Sequence, residues 1–93
     1  SNYSKALELE LEALTLRKQI GDDLKTANTL NNLGIIYDEM GDYKKALEYY
    51  YQARKIYEDL ENDEKIAMVL VNIAIVLKAQ GEYKQVAQSY YEA

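Results

Sequence analysis

The sequence predicts an all-α chain, an array of antiparallel helix hairpins with about five helices, and three observations lead there. The chain has no proline and only four glycines in 93 residues, and good helix formers fill the intervals between the glycines. Apolar residues recur at steps of three and four, the period of one helical face. Finally, "GDYKKALEYYYQA" at 41–53 returns as "GEYKQVAQSYYEA" at 81–93 and is anticipated by "SNYSKALELELEA" at 1–13, so that Tyr3, Tyr43 and Tyr83, and Ala13, Ala53 and Ala93, stand 40 residues apart.

Each element can be placed from period and punctuation. A first helix is expected from about Tyr3 to Gln19, stopping at "IGDD", where Gly21 suits a left-handed cap and Asp22 or Asp23 can cap the next helix. A second is expected from Leu24 to Met40 and ends at Gly41. The third, Tyr43 to Leu60, stops at "ENDE", where Asn62 or Asp63 supplies the next cap; the fourth runs from Glu64 to Gln80 and meets Gly81. A fifth starts near Tyr83. Such short connections force consecutive helices to lie antiparallel.

The spacings assign the faces. In the third helix Ala46, Tyr49, Ala53, Ile56 and Leu60 form one stripe and Tyr43, Leu47, Tyr50 and Tyr57 a second, so this helix needs neighbours on two sides. The second helix offers Ala27, Leu30, Leu33, Gly34 and Tyr37, and the fourth matches it with Ala67, Leu70, Ile73, Ala74 and Leu77. In the first helix Ala6, Leu9, Ala13, Leu16 and Ile20 are expected to bury against the second, leaving Tyr3, Leu7, Leu11 and Leu14 on the outside for self-association.

Composition removes whole classes of function. Without cysteine or histidine there are no disulfides, zinc ribbons, thiol nucleophiles or imidazole bases. The remaining carboxylates, hydroxyls and lysines show no catalytic pairing, so no enzyme, cofactor or metal is expected. Sixteen acidic against eleven basic residues give no footprint for nucleic acid. The run Ala67 to Leu77 is shorter than the roughly 20 residues a membrane helix needs, so no membrane partner is expected and the cytoplasm is the default compartment. The triple Tyr49-Tyr50-Tyr51 sends its rings to three faces and reads as packing rather than base stacking. Asp22-Asp23 and Asn62-Asp63-Glu64 read as helix caps, since neither has the ligand spacing or mid-loop glycine of a calcium site.

The stretch "LNNLGIIYDEMGDYKKALEYYYQA", with Leu33, Gly34, Tyr37, Gly41, Tyr43, Ala46, Tyr50 and Ala53 in register, resembles the tetratricopeptide repeat family. The later copy keeps Gly81, Tyr83, Tyr90 and Ala93 but has Ala74, Leu77 and Val86 where the first has glycine, tyrosine and alanine. The spacing of 40 residues exceeds the common 34, with the extra residues around "IYEDLENDEK", and suggests a longer-repeat variant. The resemblance implies one domain over 1–93, with units at about 1–20 (partial), 21–60 and 61–93 (truncated), wound as a right-handed superhelical α-solenoid. It also implies a non-catalytic protein- or peptide-binding scaffold. Its groove would be lined by Asn28, Asn31, Ile35 and Asp38 of the second helix and Met68, Val71, Ile75 and Lys78 of the fourth. The apolar members suit a ligand of apolar character, and Asn28 and Asn31 would hold its backbone. The alternative is a segment that stacks or self-assembles as a homo-oligomer through its terminal helices.

Overall fold

The computed structural model describes residues 2–92, and side chains for 2–85. It forms four helices: α1 Tyr3–Ile20, α2 Asp23–Glu39, α3 Tyr43–Asp59 and α4 Asp63–Glu92. Each helix packs on the next in the chain, and α2 also touches α4 across the stack. The first three helices have 18, 17 and 17 residues, and the assembly measures 54 × 30 × 16 Å.

The turns are built to one plan. Asn2, Asp22, Asp42 and Asn62 each accept a hydrogen bond through side-chain Oδ1 from the backbone N–H three residues on, at 3.1 to 3.3 Å. These bonds satisfy one of the orphan donors of each helix start. At the other ends the chain turns through the left-handed region at Gly21, Gly41 and Glu61. After α2, the N–H of Asp42 reaches Tyr37 C=O and that of Gly41 reaches Asp38 C=O. After α3, Asn62 and Glu61 repeat both bonds, on Tyr57 and Glu58. This is the paired-bond Schellman arrangement that ends a helix and reverses the chain.

The fourth turn does not form. The sequence predicts a break at Gly81 and a fifth helix from Tyr83, whereas α4 continues unbroken through both. The cap explains the difference. Glu82 stands where the other turns have Asp or Asn, and glutamate is a poor N-cap because its longer side chain does not fold back onto the next N–H groups. Glycine within a helix costs only about 1 kcal/mol relative to alanine, which a continued hydrogen-bond ladder can offset. Val86, Tyr90 and Ala93, which the sequence assigns to that fifth helix, lie outside the described side chains.

The core runs between the helices as Leu14, Ala27, Leu30, Leu33, Ala46, Tyr50, Ala53, Tyr57, Val69, Ile73 and Val76. The expected faces of α2 and α3 hold: Ala27, Leu30, Leu33 and Gly34 are buried, and α3 is covered on both sides. Leu60, at the end of α3, is exposed instead.

The two outer helices differ from expectation. In α1 the buried residue is Leu14, 9% exposed, with Leu7 packed on the core, while Leu9 and Ile20 are 54% and 78% exposed. Of the stripe expected inside, Leu9, Leu16 and Ile20 are therefore outside and Ala6 and Ala13 half-buried, and part of the one expected outside is inside. Among the described residues of α4, Val69 and Val76 are buried together with Ile73, the member of the expected stripe that is covered, whereas Ala67, Leu70, Ala74 and Leu77 are exposed. The reason is the same at both ends. Each outer helix carries two apolar faces, and among the described residues a neighbour packs on one of them.

This second apolar face gives α4 a composition not visible in the short run Ala67 to Leu77. Within Asp63–Gln85 an 18-residue stretch has a mean hydropathy of 1.4, so among the described residues one helix is long and apolar enough to cross a membrane. On its packed side this helix buries Val69, Ile73 and Val76, and its Asn72 bonds to Asn31.

A candidate binding surface across α2 and α4

Helices α2 and α4 are joined beyond α3 by a hydrogen bond from Asn72 Nδ2 to Asn31 Oδ1, 3.0 Å long. Asn31 is almost fully buried, so this amide pair ties two alternate helices together and leaves little of the Asn31 oxygen for a ligand. Asn28 is similarly engaged, its Oδ1 accepting a 2.6 Å hydrogen bond from the Tyr57 hydroxyl. Both asparagines therefore have a partner inside the fold.

The apolar candidates are available to solvent. Val71 and Ile75 are 58% and 53% exposed, and Ile35 lies open beside Asn31 on α2. Lys78 is exposed one turn further along α4, and Asp38 is half-buried. Met68 instead packs against the core. Of the eight positions expected to line a groove, then, Ile35, Val71, Ile75 and Lys78 present open side chains, and Asn28, Asn31 and Met68 are committed largely to packing and internal bonds.

A second feature is not apparent from the residue pattern. Between α1 and α2 lies a cleft of about 220 Å3 whose walls include Glu10, Arg17, Lys25, Asn28 and Asn32. It is polar and carries two cations. Periodicity could have put Lys25, Asn28 and Asn32 on one face of α2, but the part played by Arg17 depends on which way α1 is turned.

Tyr37, Tyr49, Tyr50 and Tyr57 are engaged within the fold. Tyr49 stacks on Tyr37 with ring centroids 5.5 Å apart and planes 4° from parallel, and Lys45 Nζ lies 5.6 Å from the Tyr37 centroid. The Tyr50 ring lies against Gly34. Burial, aided by the carboxylates of Asp38 and Glu39, pushes the Tyr50 hydroxyl up to about 12, and burial raises that of Tyr57. Tyr51 is exposed. Of the residues expected to mediate self-association, Leu11 is open, Tyr3 and Leu7 are half-buried, and Leu14 belongs to the core.

Stacked helix hairpins with near-uniform turns, small residues at the crossings and an open face across alternate helices define a helical-repeat protein. The Tetratricopeptide repeat family model matches residues 1–59, and the chain belongs to that family. No curated protein matches it.

Proposed function

We propose that this chain, as tetratricopeptide repeats generally do, serves as a protein-interaction scaffold without catalytic activity. In this role the face across α2 and α4 binds an extended or helical peptide segment with apolar side chains. The observation that carries this reading is the open trio Ile35, Val71 and Ile75, set on two helices that the Asn31–Asn72 bond holds in register. A rigid floor lowers the ordering cost of binding, and burying ligand side chains on the trio supplies the affinity. Asn28 and Asn31 act mainly as spacers of the floor, and Asp38 and Lys78 at the rim give the ligand its direction.

The test is selection of binders from a random-peptide display library, followed by calorimetric titration. Peptides selected on the wild type should be enriched in apolar residues and should lose at least tenfold in affinity for I35K/I75K, a variant that retains its helical circular dichroism. Undiminished affinity would move the site elsewhere, the polar α1–α2 cleft being the next surface to map.

A further inference from the structure

The two outer helices expose faces whose counterparts elsewhere in the chain are joined. At the α2–α3 junction Tyr37 stacks on Tyr49, Gly34 lies against Tyr50, and Asn28 bonds to Tyr57. Forty residues after Gly34 and Tyr37 come Ala74 and Leu77 of α4, and forty before Tyr49 and Tyr50 come Leu9 and Glu10 of α1. Ala74, Leu77 and Leu9 are exposed, Leu77 at 47%. Leu9, Ala74 and Leu77 are thus open to solvent, while Glu10 is half-buried at the edge of the α1–α2 cleft.

We propose that these two faces belong together between copies: α1 of one molecule docks on α4 of another, in the way α3 docks on α2, and completes a repeat across the junction.

Three features select this occupant. At the α2–α3 junction a β-carbon on Gly34 would come within 2.5 Å of the Tyr50 ring, so a tyrosine there requires glycine opposite. In α4 the opposing position is Ala74, which has that β-carbon. The chain's own segment 82–93 brings Tyr90 to this position, whereas α1 brings Glu10, a slimmer and more flexible side chain. Charge agrees with size. Asp38 lies near enough to Tyr50 to act on its hydroxyl, and the counterparts of those two residues are Lys78 and Glu10, of opposite sign. Lastly, Leu77 and Leu9 place leucine against leucine where the inner junction stacks two tyrosines. The contact is heterologous, using different patches on the two partners, so it propagates as an open stack rather than closing as a two-fold dimer.

Sedimentation velocity and light scattering over a concentration series test this on the full chain. The wild type should grow in mass with concentration, without a plateau at the dimer. L9E, which spoils the α1 face, and L77E, which spoils the α4 face, should each remain monomeric. An equimolar mixture of the two should form a dimer and nothing larger, because the intact α4 of one meets the intact α1 of the other and both remaining ends are blocked. That rescue also shows that both variants fold. A wild type that stays monomeric throughout, as expected if residues 82–93 fold back over α4, would overturn the proposal. So would self-association retained by either variant alone, the signature of a two-fold contact, or a mixture that remains monomeric.

Discussion

The ring of Tyr50 rests on Gly34 so closely that two of its carbons would lie 2.5 Å from a β-carbon added there. Tyr50 is only 2% exposed and has no free space into which to retreat. G34A should therefore destabilise the protein although alanine is the better helix former by about 1 kcal/mol. Overpacking of this kind costs about 1 to 3 kcal/mol. Urea denaturation should show a lower midpoint, and G34A/Y50L should recover part of the loss. A midpoint at or above the wild-type value would mean that the two helices part without cost.

Glu61 takes the left-handed position that Gly21 and Gly41 take in the other turns, with φ of 56°. A residue with a β-carbon is disfavoured there by about 1 to 2 kcal/mol, and glycine is relieved of that strain at the expense of some unfolded-state entropy. E61G should stabilise by about 0.5 to 1 kcal/mol, and G41A, the reverse change, should destabilise by a similar amount. Thermal melts of the pair give the sign directly.

Removing the Tyr57 hydroxyl deletes the 2.6 Å bond to Asn28 and leaves a half-buried amide oxygen without that donor. Y57F should cost about 0.5 to 1.5 kcal/mol. A double-mutant cycle with N28A should give a coupling of the same order, and additive losses would show that the bond contributes nothing.

The alkaline limb of stability should report Tyr50 and Tyr57. Both hydroxyls have folded-state values raised above the usual 10, Tyr50 to about 12, so the folded protein keeps protons that the unfolded chain releases. Their contribution is complete below pH 10 and is lost as pH rises from there through about 12. The urea midpoint should fall over that window, and less steeply in Y50F, which has no proton to lose. Equal slopes for wild type and Y50F would exclude burial of this hydroxyl as the cause.

Much of the architecture is legible in the residues themselves. Asp22, Asp42 and Asn62 fix the helix starts because a short side-chain oxygen is needed three residues before a free N–H, and Gly21 and Gly41 mark reversals because a left-handed turn favours a missing β-carbon. The faces of α2 and α3 are equally plain, since a helix with neighbours on both sides buries whichever stripe it offers. Of the eight residues expected to line a groove, Ile35, Val71, Ile75 and Lys78 have open side chains.

Period alone does not choose between two apolar stripes on one helix. In α1 both Leu14 and Leu16 lie on such a stripe, and only the position of α2 decides that the first is buried and the second left in water. The same holds in α4 for Val76 and Leu77. Nor does an asparagine's type reveal its partner, because Asn31 finds Asn72 only after α3 has brought α2 and α4 together. The residues by themselves set where helices begin and most of the places they end, which are matters of local hydrogen bonding and φ. Tertiary structure alone decided which oily faces are covered, because burial belongs to a pair of surfaces and half of each pair lies elsewhere in the chain.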